Sequence, residues 1–122
     1  MLQTGIDIIE ISRIEKSIQN PSFVEKYFHP IEIDYSTKSK KAAQHFAARF
    51  AAKEAARKVL LDHVDNLSWQ DSWIENDENG KPHLHFSEKI NEMLEIKHTS
   101  VSLSHSKDQA IAIVLIDVLK NI

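Results

Sequence analysis

The sequence predicts an α+β fold in which a long helix packs on a mainly antiparallel sheet. The segment from Lys40 to Leu61 is rich in alanine and lacks glycine and proline, a composition that favours a helix. Near the end of the chain, Thr99 to Ser104 alternates polar and apolar residues, and Gln109 to Leu119 is almost continuously apolar. These patterns predict a strand at a sheet surface, paired with a neighbour that is buried on both faces.

The first third of the chain predicts one strand followed by short helices. Leu2 to Ile9 carries β-branched apolar residues and predicts a buried strand. Apolar residues recur at helical spacing from Ile11, which predicts a helix that ends near Asn20. We expect Ser22 to cap a second helix, which stops at His29 because the residue before a proline disfavours helical angles.

The remaining elements are a third short helix, a hairpin and a fourth short helix. Ile31 to Tyr35 predicts the third helix. Asn79-Gly80 is a strong turn signal, which predicts a hairpin with strands at Trp73 to Asn76 and Pro82 to Phe86. We expect Ser87 to cap a helix that includes Leu94.

Composition excludes several classes of protein. The 122 residues, 42% hydrophobic and 27% charged, with a net charge of −3, predict a single soluble domain spanning residues 1–122. The absence of cysteine excludes a disulfide scaffold and leaves oxygen or imidazole ligands for any metal. Neither a membrane-spanning segment nor a secretory signal is visible, so we expect a cytoplasmic protein. The charge balance gives no global attraction to nucleic acid or to membranes.

Acidic and basic side chains lie close together along the long helix. Four-residue spacing places Glu54 and Lys58 in one row, and Arg49 and Lys53 in the neighbouring row. Taken alone, the spacing of Glu54 and Lys58 favours an ordinary surface ion pair on an amphipathic helix. The helix alone therefore leaves its function open.

Asp7 is the second candidate, because a carboxylate within an apolar strand is costly to bury without a partner. If this strand packs on the long helix, Asp7 and Glu54 offer two hard oxygen ligands to Mg²⁺, whose remaining positions suit phosphate and water. Arg49, Lys53 and Lys58 would then balance phosphate charge. Alternatively, Asp7 faces solvent at a strand end or caps the following helix.

Three histidines and a serine are further candidates for chemistry. His105 follows a strand and can project into a cleft, although loop histidines are often only solvated. His83 and His85 share one strand face, but no third metal ligand accompanies them, so we interpret them as a solvated face. Ser104, His105 and Asp108 are close neighbours in one turn, which does not give the geometry of a hydrolase triad.

The chain resembles the acyl carrier protein synthases, short 4′-phosphopantetheinyl transferases. The matching blocks are Gly5-Ile6-Asp7-Ile8 with Arg13, Arg49-Phe50-Ala51-Ala52-Lys53-Glu54-Ala55 with Lys58, Asn79-Gly80-Lys81-Pro82, and Val101-Ser102-Leu103-Ser104-His105. The resemblance implies the 4′-phosphopantetheinyl transferase fold. It also implies Mg²⁺-dependent transfer of phosphopantetheine from coenzyme A to a serine of apo acyl carrier protein in fatty acid biosynthesis.

The resemblance also implies roles for individual residues. Asp7 and Glu54 would bind Mg²⁺, and Lys58 would contact the diphosphate. Catalytic roles are expected for Glu54, Lys58 and His105, with Glu54, a metal-bound water or His105 as the proton acceptor and Glu54 or its water favoured. Coenzyme A is expected to contact Arg49, Lys53, Lys58, Gly80, Lys81, Pro82 and His105, with Lys40 and Lys41 suiting the 3′-phosphate.

Assembly and carrier recognition follow from the same resemblance. It implies a homotrimer with active sites between subunits. Acidic carrier proteins would dock near the first helix, with Arg13, Lys16 and Lys26 as candidate contacts. Two other classes remain open, a coenzyme A binding module without catalysis and a purely structural assembly protein.

Overall fold

The computed structural model describes residues 1–122 as five strands, five helices and one 3₁₀ turn. The strands are β1 (Leu2–Glu10), β2 (Ser72–Asn76), β3 (Pro82–Phe86), β4 (Leu94–His105) and β5 (Gln109–Asn121). The helices are α1 (Ile11–Ser17), α2 (Pro21–Tyr27), α3 (Pro30–Thr37), α4 (Ala42–Leu60) and α5 (Glu88–Met93), with the 3₁₀ turn at Trp69–Asp71. No helix is both long and apolar enough to cross a membrane.

The main sheet has three strands in the order β1-β5-β4, and both neighbouring pairs are antiparallel. Ala112 in the central strand lies opposite Asp7 on one side and Leu103 on the other. Strands β2 and β3 form a separate hairpin, with Ile74 opposite Leu84. The predicted α+β class with a long helix and an antiparallel sheet is confirmed.

Helix α4 crosses one face of this sheet in close contact with β1. A Cβ added at Gly5 would lie 2.1 Å from the carbonyl oxygen of Ala55, so only glycine permits this approach. The neighbouring helix positions Ala51 and Ala52 have no exposed surface. Small residues thus bring the backbone of β1 against the backbone of α4, which places the side chains that flank this contact near one another.

The prediction that β5 is buried on both faces is wrong for this chain. Its residues alternate, with Val114 and Ile116 buried beneath α4 while Ile113 on the opposite face is 41% exposed. Ile6 and Ile8 of β1 lie on the same open face as Ile113 and are also exposed. The reason is that helices cover only one side of the three-stranded sheet.

Several predicted element boundaries also shift. Asn20 rather than Ser22 caps α2, because its side-chain oxygen accepts a hydrogen bond from the Ser22 amide. Helix α4 begins at Ala42 rather than at Lys40. Leu94 begins β4 instead of ending α5, so this strand starts five residues earlier than predicted from Thr99.

The hairpin turn follows its sequence signal. Gly80 has a φ of +81°, a left-handed conformation that favours glycine. The Asp77 carboxylate accepts hydrogen bonds from the amides of Asn79 and Lys81 at 2.9 and 3.0 Å. The turn therefore holds the tip of the hairpin in one defined conformation.

Candidate functional site

Asp7 lies where β1 contacts α4 and is mostly buried. Its Oδ1 is 3.2 Å from the ammonium nitrogen of Lys58, which also donates a hydrogen bond of 2.8 Å to the carbonyl oxygen of Ile6. The structure thus gives the strand carboxylate a cationic partner, as its burial requires. Lys58 itself remains about half exposed, so its ammonium is accessible to a ligand.

Glu54 lies one helical turn before Lys58 on the same side of α4. It immediately precedes Ala55, whose carbonyl oxygen faces Gly5 at the β1 contact. Glu54 is half-buried and has no hydrogen-bond or ion-pair partner in the chain. The contact between β1 and α4 therefore brings Asp7, Glu54 and Lys58 into one neighbourhood.

The two carboxylates fit a magnesium ion. They are hard oxygen donors, and Asp7 already holds a cation in the form of the Lys58 ammonium. No group of three or more His, Asp or Glu side chains in the chain could hold a metal by itself. Magnesium is usually held by one or two protein carboxylates together with water and substrate phosphate, which matches this donor set.

A cleft of about 230 Å³ opens where α4, the β2–β3 hairpin and the end of β4 meet. Four of the residues predicted to contact coenzyme A line this cleft: Arg49, Gly80, Pro82 and His105. Its other lining residues are Tyr35, Gln44, His45, Ala48, Asn76, Leu103 and Ser104. Lys81 lies in the adjoining turn but does not line the cleft.

His105 is held at the cleft mouth by Gln44. The Gln44 amide and the Nε2 atom of His105 are 2.9 Å apart. Gln44 was not predicted, because a glutamine near the start of an alanine-rich helix carries no chemical signal in the sequence. It also lines a second cleft of about 450 Å³ that includes Lys40 and Lys41, the candidates for the 3′-phosphate.

Arg49 forms one wall of the cleft and is almost completely buried. Its guanidinium donates a hydrogen bond to the side-chain oxygen of Asn76 and stacks on Tyr35 at 4.4 Å from the ring centroid. Burial lowers the pKa of Arg49, although Tyr35 and Glu32 oppose this shift. Its Nε has no partner in the protein.

Lys53, which is predicted to contact coenzyme A, lies in the protein interior and does not line the cleft. Lys53 has no exposed surface, and its ammonium lies 2.9 Å from Oε1 of Glu32. Burial lowers the pKa of Lys53 and raises that of Glu32, while their mutual attraction opposes both shifts. Glu32 was not predicted as part of the site, because only the tertiary fold reveals that it is buried.

The candidate carrier contacts and the hairpin histidines lie on the surface. Arg13, Lys16 and Lys26 are exposed on α1 and α2. His83 is 2.9 Å from the carboxylate of Asp77, and His85 is exposed on the same strand.

Comparisons with known proteins agree with this geometry. Residues 3–114 match the 4′-phosphopantetheinyl transferase superfamily. A holo-(acyl-carrier-protein) synthase of Syntrophus aciditrophicus is 42% identical over 124 residues, covering 97% of this chain and 97% of that relative. The crystal structure of a Bacillus anthracis holo-(acyl-carrier-protein) synthase in complex with CoA is 35% identical, with a TM-score of 0.76 and 93% of each chain covered.

A Helicobacter pylori holo-(acyl-carrier-protein) synthase crystallised in complex with coenzyme A is 32% identical, with a TM-score of 0.76. The similarity covers 95% of this chain and 99% of that one. The family match spans nearly the whole chain, including the segments that carry Asp7, Glu54, Lys58 and His105. The chain therefore belongs to the 4′-phosphopantetheinyl transferase superfamily, among its holo-(acyl-carrier-protein) synthases.

Proposed function

We propose that this enzyme transfers the 4′-phosphopantetheine group of coenzyme A to a serine of an apo acyl carrier protein, in a magnesium-dependent reaction. The observation that carries the proposal is the ion pair of Asp7 with Lys58 at the contact between β1 and α4, with Glu54 one helical turn before Lys58. Relatives crystallised with coenzyme A support the choice of donor.

In the proposed reaction, the serine oxygen of the carrier forms a bond to the β-phosphorus of coenzyme A. The bond between that phosphorus and the bridging diphosphate oxygen breaks, and adenosine 3′,5′-bisphosphate departs with the electron pair. The serine proton passes to a base. The enzyme must therefore align the two reactants, balance the phosphate charge and accept one proton.

Asp7 and Glu54 would hold the Mg²⁺ ion. When bound, this ion supplies positive charge that stabilises the diphosphate as its bond to the leaving group breaks. Lys58 adds a second positive charge from the same side of α4, because its half-exposed ammonium can turn from Asp7 to a phosphate oxygen. Asp7 would thus exchange its lysine partner for the metal.

The cleft residues would bind and orient coenzyme A. Arg49, Gly80 and Pro82 form its walls, and His105 lies at its mouth where a phosphate can approach. We propose Glu54, or a water that it orients, as the proton acceptor, because its carboxylate has no competing partner in the chain. His105 is the alternative base, because its imidazole lines the cleft. It could act only after its Nε2 releases the hydrogen bond that the Gln44 amide donates.

We also propose that the enzyme assembles as a homotrimer through the open face of the main sheet. Adjacent positions on β1 and β5 place exposed apolar side chains side by side, and contiguous apolar patches of this kind mark protein interfaces. The patch contains Leu2, Ile6, Ile8, Ile111, Ile113 and Leu115. A second and a third copy of this chain would cover it.

Carrier docking on α1 and α2, fatty acid biosynthesis and a cytoplasmic location are expectations from the family resemblance. Arg13, Lys16 and Lys26 are placed suitably for an acidic partner, because all three project from the surface. Exposed cations of this kind accelerate association with an oppositely charged protein.

Calorimetry with coenzyme A, with and without Mg²⁺, separates the competing functions. The transferase and a binding module both predict magnesium-dependent binding, whereas a structural assembly protein predicts none. Transfer to an apo carrier, followed as a mass increase of the carrier protein, then separates the transferase from the binding module. Binding without any transfer to carriers of the source organism would refute the proposed reaction.

A further inference from the structure

A fully buried ion pair lies within one helical turn of two residues that line the cleft, Arg49 and Tyr35. Lys53 of α4 and Glu32 of α3 have no exposed side-chain surface, and their charged atoms are 2.9 Å apart. Removing two charges from water carries a desolvation penalty that can exceed their mutual attraction, so a buried ion pair contributes little to stability compared with apolar residues of similar volume. Their position suggests a different role.

Glu32 connects three elements through its two oxygens. Oε1 accepts hydrogen bonds of 2.9 Å from the ammonium of Lys53 and from the backbone amide of His29, which precedes α3. Oε2 accepts a hydrogen bond of 2.9 Å from the backbone amide of Ile74 in β2. One carboxylate therefore fixes α3, α4 and β2 relative to one another.

The same three elements supply a wall of the cleft. Arg49 from α4 stacks on Tyr35 from α3 and bonds to Asn76 from β2, which in turn donates a hydrogen bond of 3.0 Å to the carbonyl oxygen of Gly80. All four residues line the cleft. The side chains of the cleft wall thus join α3, α4 and β2, the same three elements that Glu32 joins in the interior.

Each residue of the interior contact lies next to a residue of the cleft wall on the same face of the same element. Residues three or four apart on a helix, or two apart on a strand, share one face, so a shift of the element displaces both. The three pairs are Lys53 with Arg49 on α4, Glu32 with Tyr35 on α3, and Ile74 with Asn76 on β2.

We infer that Glu32 and Lys53 are a positioning pair, which sets the coenzyme cleft by fixing the relative placement of Arg49, Tyr35 and Asn76. Lys53 thus acts on the ligand through Arg49 and never touches it. The inference rests on the proposed binding of coenzyme A in this cleft, and it assigns the positioning role to the Lys53 of the Arg49–Ala55 motif.

Three variants test the pair. Lys53→Met removes the ammonium and leaves the Glu32 carboxylate buried without its cation. The double variant Glu32→Gln and Lys53→Met removes both charges at similar volume, and its glutamine oxygen can still accept a backbone hydrogen bond. Arg57→Met is the matched control, because Arg57 lies on the same row of α4 but contacts Leu67 and Trp69, away from the cleft.

We expect Lys53→Met to lower the melting temperature, to shift the NMR signals of the Asn76 side-chain amide and to weaken coenzyme A binding about tenfold or more. The double variant should recover the melting temperature, the Asn76 signals and an affinity within about threefold of wild type. Arg57→Met should lower the melting temperature while leaving the Asn76 signals and the affinity unchanged.

Direct contact between Lys53 and coenzyme A predicts a different pattern. The double variant would then regain stability and the Asn76 signals without regaining affinity, because the ammonium is still missing, and this result would overturn the inference. Unchanged Asn76 signals and affinity in Lys53→Met would overturn it as well. If Lys53→Met does not fold, the double variant decides between these outcomes.

The NMR signals of the Asn76 side-chain amide, recorded without coenzyme A, separate this inference from the proposed function. If the wild-type enzyme bound no coenzyme A, the proposed function would fail, whereas the Asn76 signals would still report whether the pair sets the cleft wall. Unshifted signals in both charge variants would then refute the positioning role by themselves.

Discussion

At the scale of single residues, His29, the N-cap residue before α3, makes two hydrogen bonds that fix the start of this helix. The Nδ1 atom of His29 accepts a hydrogen bond of 3.1 Å from the amide of Ile31, and its backbone amide donates to the buried Glu32 carboxylate. Burial and the charge of Lys53 lower the pKa of His29, against a smaller opposing effect of Glu75. The neutral ring is thus the form that the folded protein requires.

This gives a prediction for the pH dependence of stability. Because the folded pKa lies below the usual 6.5, the contribution of His29 is complete above pH 6.5 and is lost as the pH falls through the folded pKa. Protonation also removes the Nδ1 acceptor, and a helix cap of this kind is worth about 1 kcal/mol. Thermal unfolding between pH 7.5 and about 5 should show this loss.

His29→Asn keeps a capping oxygen and removes the titration. We expect its melting temperature to fall less than that of wild type over the same pH range. His85→Asn is the control, because His85 is exposed and caps no helix. Equal pH dependence in wild type and His29→Asn would show that the cap does not control the acid response.

At the scale of elements, the approach of β1 to α4 places the proposed metal ligands. Gly5 permits this approach, and Asp7 and Glu54 flank it. The sequence predicts both elements, because β-branched apolar residues and an alanine-rich helix carry local signals, but it leaves the packing of β1 on α4 as a condition. The sequence does not predict the distance between β1 and α4, because that distance depends on which small residues of the two elements lie in contact.

Gly5→Ala should therefore separate β1 from α4. Its new Cβ would lie 2.1 Å from a backbone oxygen that cannot turn away, so we expect a destabilisation of about 1–3 kcal/mol or more and weaker magnesium-dependent coenzyme binding. Gly80→Ala is the control for stability alone, since its Cβ has open space and only the φ of +81° opposes it, whereas its place in the cleft wall excludes it as a control for binding. Denaturant unfolding of both variants measures the difference in stability, and calorimetry of Gly5→Ala measures coenzyme binding. A Gly5→Ala protein that is as stable and binds as tightly as wild type would contradict this packing.

At the same scale, the helix row of His45, Arg49 and Lys53 shows what helical spacing can and cannot predict. The spacing correctly predicts a shared helix face, and the charges of Arg49 and Lys53 predict a phosphate surface. In the structure, Arg49 bonds to β2 and Lys53 to α3, and Arg57, one turn further along, stacks on Trp69 of the 3₁₀ turn. Partners from distant parts of the chain, such as Glu32 for Lys53, decide the role of each cation, and helical spacing carries no information about them.

At the scale of the whole molecule, the open face of the sheet explains the apolar run of β5. The sequence indicates correctly that both faces of this strand are apolar, whereas a single chain covers only one. The start of β4 at Leu94 is not predicted by the sequence for a related reason. The first half of this strand pairs with β5, but most of its side chains are exposed. Such a strand gives little hydrophobic signal.

Ile113→Arg tests whether other copies of the chain cover this face. Ile113 lies in the central strand opposite Ile6, so an arginine there would place a charge in the middle of the proposed interface. We expect a trimer by light scattering for wild type, a monomer for Ile113→Arg and a loss of turnover with assembly. Leu61→Arg, an exposed apolar position at the end of α4, should remain a trimer. A wild-type monomer with full activity would refute the proposed assembly.

The central claim, that Glu54 and Asp7 hold the metal used in phosphopantetheine transfer, is tested most directly by the activity of Glu54→Gln. Mass spectrometry of an apo carrier incubated with coenzyme A, Mg²⁺ and each variant measures the transfer. We predict a decrease of about 100-fold or more for Glu54→Gln with an unchanged melting temperature, because the substitution keeps the side-chain size and removes one ligand charge. Glu95→Gln, at an exposed carboxylate of β4, should retain wild-type turnover. Wild-type turnover in Glu54→Gln would contradict the assignment.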